Sequence, residues 1–228
     1  MPRKEEREQG ATIEWLHRRL VEEYGDPVPP AKRPDPLDEL ILTVLSQNTN
    51  DRNRDRAYGE LRRRFPTWAA VLAATPAEVE DAIRVGGLAC RKSLRIQRML
   101  GVIAEREGAL RLGRLRRMPL PVAREYLLSL SGVGEKTAAI VLLFSCGRPV
   151  FPVDTHVLRL TRRLGLIPAR TTADKAHALL GAAVPEEMMY RFHLNLIAHG
   201  RGTCHPRKPE CARCCLRKKC PGAFRIDG

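Results

Sequence analysis

The stretch Leu130-Ser131-Gly132-Val133-Gly134-Glu135-Lys136-Thr137-Ala138 lies between two apolar helical patterns, and its reading decides the fold. Two glycines one residue apart permit a tight turn that exposes backbone amides, and those amides open the following helix. Such a helix start binds a phosphate oxygen without any side-chain charge. No strand precedes the turn and a third glycine is missing, so the dinucleotide fingerprint of α/β folds is excluded. Taken alone, a Gly-x-Gly turn between helices is equally a plain structural turn. Lys136 adds chemistry. A lysine in the first turn of a helix feels the positive end of the macrodipole, which disfavours its ammonium form, and a neutral amine is a nucleophile. The alternative for Lys136 is a solvated surface charge.

Away from this turn the period is helical almost everywhere. Leu37, Leu40, Ile41, Val44 and Leu45 form one apolar stripe. Thr75-Pro76-Ala77-Glu78 reads as a helix start, with Thr75 as N-cap, Pro76 in the first helical position and Glu78 closing a capping box. Further helices are expected near 11–24, 52–64, 88–107, 120–129, 135–146, 155–165, 172–181 and 186–199. No alternating β-branched run and no internal repeat is present, so the class is all-α. The proline-rich segment Pro27 to Pro36 reads as a crossing between two helical units.

After the helix that begins at Lys136 comes Phe151-Pro152-Val153-Asp154-Thr155-His156. One helix and a return loop separate Asp154 from the hairpin, which makes it the candidate to manage protons beside a lysine amine that attacks a sugar carbon. An N-cap is the structural alternative for Asp154, and one aspartate can serve in both ways.

Cysteines crowd the end of the chain as Cys204-x6-Cys211-x2-Cys214-x5-Cys220, spaced to wrap one compact metal centre and cramped for disulfides. From Arg201 to Cys220 there are seven basic residues against the single acid Glu210, a field expected to lower thiol pKa values. Spacing alone leaves both an iron–sulfur cube and zinc open. Cys90, Cys146 and Cys215 make the total of seven odd, which an oxidising compartment would punish. No apolar run approaches the roughly 18 residues of a membrane span, and Met1 to Gly10 is charged, unlike a signal peptide. The expectation is a soluble chain, intracellular and cytoplasmic, with disorder confined to residues 1–10. A net charge of +14 points to a polyanionic partner, with nucleic acid the obvious one. Only 5% of residues are aromatic, which argues against a stacking platform for single strands. An arginine-rich proteome with basic solvated faces is the bland alternative.

The glycine hairpin with Lys136, the Val-Asp-Thr-His segment and the terminal cysteines together resemble the endonuclease III family of helix–hairpin–helix DNA glycosylases, from about Ile13 to Phe224. The resemblance implies a six-helix barrel domain with the helix–hairpin–helix over residues 36–150. It implies a cluster domain from residues 11–35 and 151–228, with a DNA-binding groove between the two. A [4Fe–4S] cluster would sit on Cys204, Cys211, Cys214 and Cys220. The partner would be duplex DNA with damaged bases or abasic sites, bound by a monomer associated with the nucleoid.

Carried over by position, Lys136 would displace a damaged base at C1′ and form an imine, Asp154 would assist, and β-elimination would cut the strand. Gly132, Val133, Gly134 and Thr137 would hold backbone phosphate, as would Arg207 and Lys208 in the loop between the first two cysteines. Leu45-Ser46-Gln47-Asn48-Thr49-Asn50-Asp51 resembles the loop that fills the gap left by an extruded nucleotide. Both Gln47 and Asn48 are candidates for that role, with helix capping the plain alternative for Asn48 or Asn50. Leu88 is the candidate wedge for the opposite strand, although Ala89-Cys90 stands where many relatives have Tyr-Asn, which bears on lesion preference. Removal of oxidised pyrimidines is the first reading. An abasic-site lyase or mismatch-directed enzyme of the same fold is the second, and a noncatalytic iron–sulfur DNA-binding protein the third.

Overall fold

The computed structural model describes residues 4–223. Eleven α-helices occur among the described residues, and no strand. They are α1 (Lys4–Tyr24), α2 (Pro36–Ser46), α3 (Asp51–Arg64), α4 (Trp68–Ala73), α5 (Pro76–Ile83), α6 (Ala89–Glu107), α7 (Leu120–Leu128), α8 (Glu135–Ile140), α9 (Thr155–Arg163), α10 (Ala173–Ala183) and α11 (Met189–Gly202). The chain divides into two compact units, Lys32–Arg148 and the combination of Met1–Ala31 with Pro149–Gly228. Of the loose tail expected over residues 1–10, residues 1–3 lie outside the described residues and 4–10 are the opening turns of α1.

The Lys32–Arg148 unit is built around α2. Asp35 caps it, accepting from the Leu37 amide at 2.8 Å, and Pro36 occupies the first turn, where a missing N–H leaves nothing unpaired. Leu37, Leu40, Ile41, Val44 and Leu45 are all fully buried, against α3, α6 and α8. Each such side chain contributes roughly 1.5–3 kcal/mol of transfer free energy. The capping box at α5 is present in both directions, with the Thr75 amide on Glu78 at 2.9 Å and the Glu78 amide on Thr75 at 3.3 Å. Where six helices were expected, the unit has seven. The unforeseen one is α4, six residues long and so too short to display a period. Trp68 fixes it by donating Nε1–H to Asp38 at 2.8 Å while the Arg62 guanidinium lies 4.5 Å over its ring.

The expected helix near 135–146 is α8 continued by a π turn over Val141–Ser145. The wider turn alters the usual pairing of carbonyls, and arginines take them up. Arg33 donates to the Leu143 and Phe144 carbonyls at 3.0 and 3.2 Å, and Arg116 donates to that of Ser145 at 3.1 Å.

In the other unit α11 packs between α1 and α9. Ile13, Leu16 and Leu20 give α1 a fully buried stripe, and Phe151 and Phe192 stack at 6.0 Å in the core. Gly200 lets α9 approach α11 closely, since a Cβ there would lie 2.8 Å from His156 Nδ1.

Candidate active site and cysteine cavity

The hairpin is closed by the Val133 amide on the Leu130 carbonyl at 3.1 Å, with both side chains buried as anchors. Gly132 sits at φ +78°, a left-handed conformation that glycine adopts without a Cβ penalty. A Cβ there would lie 2.1 Å from Cδ and Nε of Arg95, so the arginine side chain crosses directly over the turn. Gly134 is extended and serves as N-cap of α8 without a side-chain bond, which leaves the first amides of the helix to outside acceptors. Lys136 is exposed on that first turn and Thr137 behind it is buried. Glu135 is drawn toward α7, where Arg124 Nε donates to its carboxylate at 3.0 Å.

Two loops of the same unit carry the expected gap-filling candidates, Gln47 and Asn48, and the expected wedge, Leu88. Asn50 caps α3, accepting from the Asn53 amide at 2.8 Å, so capping belongs to Asn50 and not to Asn48. The Gln47 amide is engaged at both ends, accepting from Arg95 Nη1 at 2.7 Å and donating to the Gly132 carbonyl at 3.3 Å. Leu88 precedes α6 and is half exposed, at 51%. Among the described residues, left-handed backbone at non-glycine positions occurs at Asn48, Leu88 and Lys208. Each such residue carries roughly 1–2 kcal/mol of conformational strain, which persists where the surroundings impose it, commonly at functional sites.

Lys92, on α6, is 2% exposed. Its ammonium donates to the Leu45 carbonyl at 2.7 Å and the Gly86 carbonyl at 2.8 Å, and burial followed by the like charge of Arg95 pushes its pKa below the ordinary lysine value.

Asp154 belongs to the other unit. It is the N-cap of α9, its Oδ1 accepting from the Val157 amide at 2.7 Å, so the structural role considered for it is present. The backbone leading into it is braced by two imidazoles. His193 Nδ1 meets the Pro152 carbonyl at 3.0 Å and His177 Nδ1 the Phe151 carbonyl at 3.2 Å. A carbonyl only accepts, so both rings carry their proton on Nδ1.

Cys204, Cys211, Cys214 and Cys220 all line one cavity, together with Leu160, Leu164, Leu216 and Ala223 among its apolar walls. No disulfide joins them. Among the described residues no three His, Cys, Asp or Glu side chains converge on a point that would hold a single metal ion. Arg207, Lys208, Arg213, Arg217, Lys218 and Lys219 are exposed, whereas the thiols face inward. The expected lowering of thiol pKa by this basic field is therefore corrected at Cys214, where burial outweighs it and pushes the thiol up to about 11. A buried thiolate here requires a cation or N–H donors for company, and donors are present. Arg163 Nη1 lies 3.2 Å from Cys204 Sγ and the Leu216 amide 3.4 Å from Cys214 Sγ.

The loop that carries the cysteines is clamped by α9. Arg159 donates to the Gly200 and Cys204 carbonyls at 2.8 and 2.9 Å, and Arg163 to those of His205 and Pro206 at 2.7 and 3.0 Å. Arg207 and the strained Lys208 follow directly on the surface.

Residues 41–186 match the family described as HhH-GPD superfamily base excision DNA repair protein. Endonuclease III of Thermotoga maritima is 35% identical over 208 residues, which take in 91% of this chain and 92% of that protein. The chain belongs to the endonuclease III family. An Arabidopsis thaliana relative that carries the name of a DNA glycosylase is 36% identical over 72% of this chain, and the chain spans 56% of that protein's length. A solved structure of a trapped endonuclease III–DNA covalent intermediate superposes with a TM-score of 0.83 at 26% identity, covering 96% of this chain and 99% of that one. Family membership makes the chain a base excision repair DNA glycosylase/lyase that binds DNA. No helix among the described residues is long and apolar enough to cross a membrane.

Sequence reading missed four residues of this endonuclease III homologue, two in each unit. Arg159 and Arg163 drew no reading of their own, although their spacing puts both on one face of the helix that Asp154 caps. Lys92 and Arg95 drew none either. For Lys92 a signal was available, because it stands in line with Ile96, Met99, Leu100 and Ile103 on the buried stripe of α6.

Proposed function

We propose that this endonuclease III homologue removes oxidised pyrimidines from duplex DNA and then cuts the strand, with Lys136 as nucleophile and Asp154 as its partner in proton handling. The observation that carries the reading is Lys136, exposed on the first turn of the helix that the glycine hairpin opens. Its amine forms a bond to C1′ as the glycosidic bond breaks and the base leaves with the electron pair. Loss of an amine proton and opening of the sugar ring give an imine between Lys136 and C1′. The imine makes the C2′ proton acidic, and its removal expels the 3′ phosphate. Gly132, Val133, Gly134 and Thr137 hold a phosphate by the hairpin, and Arg207 and Lys208 hold backbone from the cysteine loop.

Of the two gap-filling candidates, Asn48 is favoured. It is the strained residue at the loop tip, whereas the Gln47 amide is occupied by Arg95 and Gly132. Leu88 has the same left-handed backbone and wedges the other strand. The enzyme acts as a monomer inside the cell, on the nucleoid.

The four cysteines fit a [4Fe–4S] cluster. A cube spreads its ligands over separate irons, as thiols arranged around a cavity do, and the N–H groups at Cys204 and Cys214 suit charged sulfur. When bound, the cluster supplies structure to the basic loop and no chemical step. Purified protein is expected to show broad absorbance near the violet edge of the visible and about four irons per chain. One zinc per chain in place of iron would overturn the assignment.

Borohydride trapping on two duplexes tests the reaction itself, one with thymine glycol and one with an abasic site. Adducts on both are expected. Trapping on the abasic duplex alone would remove oxidised pyrimidines as substrate and leave the lyase, and trapping on neither would favour a protein that only binds.

A further inference from the structure

We infer that Lys92, with Arg95 one turn further along α6, is a positioning strut that sets the two gap-filling loops at a fixed spacing and ties them to the hairpin. The inference rests on the reaction proposed above and concerns how the nucleotide is held out of the stack, not which atom attacks it.

The geometry begins with a buried ammonium whose two acceptors lie just ahead of two different loops. Leu45 ends the buried stripe of α2 three residues before Asn48, and Gly86 stands two residues before Leu88. One Nζ therefore bridges the chain segments that lead into the two strained tips. Arg95 extends the link, with Nη1 on Gln47 at 2.7 Å and its side chain lying over Gly132. A single helix face thus holds the segments that lead to both candidate wedges and lies over the phosphate-binding turn, all within the Lys32–Arg148 unit.

The bland reading is that Lys92 merely caps the end of α2, where the last helical carbonyls have no intrahelical donor. It explains the bond to Leu45 and leaves the bond to Gly86 aside. A water or a hydroxyl side chain would satisfy the same carbonyl with far less desolvation than an ammonium at 2% exposure. What the ammonium adds is rigidity across two loops. Insertion of two wedges into opposite strands succeeds only when both tips arrive together, and reacting groups displaced by about 1 Å can lose on the order of 10²-fold in rate. An abasic nucleotide has no base to keep out of the stack and demands less of the wedges.

The test is Lys92→Met, which keeps length and removes the charge, measured on a thymine-glycol duplex and on the same duplex with an abasic site. A 2-aminopurine beside the lesion reports extrusion by fluorescence. The expected result is base removal slowed on the order of 10²-fold with a reduced fluorescence rise, while trapping on the abasic duplex stays near wild type. Gln97→Ala is the control, because Gln97 lies on the same helix and holds only the Val71 and Ala74 carbonyls, at 3.0 and 2.7 Å. It should lower melting temperature without separating the two substrates.

Equal losses on both duplexes with unchanged fluorescence would show a structural role only and overturn the strut. Should Lys92→Met fail to fold, the half-exposed Arg95→Met carries the same expectation and the same power to overturn it. Wild-type protein that traps on neither duplex would overturn the role of Lys136 instead, and the strut would then stand or fall on the 2-aminopurine signal.

Discussion

Lys136→Ala is expected to abolish borohydride trapping on both duplexes and to slow strand cutting by on the order of 10³-fold or more, the scale on which loss of a nucleophile removes transition-state stabilisation. The size of the effect follows from the chemistry. Without the amine no imine forms at C1′, so the C2′ proton keeps its ordinary low acidity and β-elimination loses its electron sink. The fold should not suffer, since Lys136 is exposed and the anchors of its helix are Thr137, Ala138 and Ala139, all buried. Melting temperature and affinity for an abasic duplex are therefore expected to stay close to wild type. Trapping that survived in the variant would move the nucleophile to another amine and sink the mechanism. A duplex affinity that collapsed along with activity would mean that Lys136 chiefly holds phosphate.

How much of this was legible before the fold was known depends on whether a residue's partners are local. Thr75, Pro76 and Glu78 bond within four positions of one another, so their capping box could be read from the string and is present. The same holds for the glycine turn, whose positive φ at Gly132 is a local requirement, and for Asp154, whose cap bond reaches only to Val157. Lys92 shows the limit. Its place in line with the apolar stripe of α6 is local and legible, but its acceptors lie 47 and 6 positions away and nothing local names them. The basic terminal segment failed in a different way. Its charge is plain in the sequence, but the direction of each side chain is not, and at Cys214 the apolar cavity wall outweighs the surface field. The choice between Gln47 and Asn48 likewise needed the bond to Arg95, a residue 48 positions distant.

The hairpin offers the second large effect, in Gly132→Ala. Alanine at φ +78° carries roughly 1–2 kcal/mol of backbone strain, and its Cβ would sit 2.1 Å from Cδ and Nε of Arg95. These are not the free end of the side chain, so Arg95 must swing away as a whole and give up Gln47. Strain and eviction together place the loss at about 2–4 kcal/mol, the range of changes tied to an incompatible backbone and a broken network. For a chain of this size that is a fall in melting temperature of about 4–16 °C. Affinity for duplex should fall as well, because a strained backbone at position 132 displaces the amides that the turn presents to phosphate. The two contributions separate in a double-mutant cycle with Arg95→Ala. If eviction matters, alanine at position 132 is less harmful once Arg95 has been truncated, and the remaining deficit is the backbone strain alone. If the two losses simply add, Arg95 is not pressed against the turn, and the link from hairpin to Gln47 through α6 is broken at its first joint.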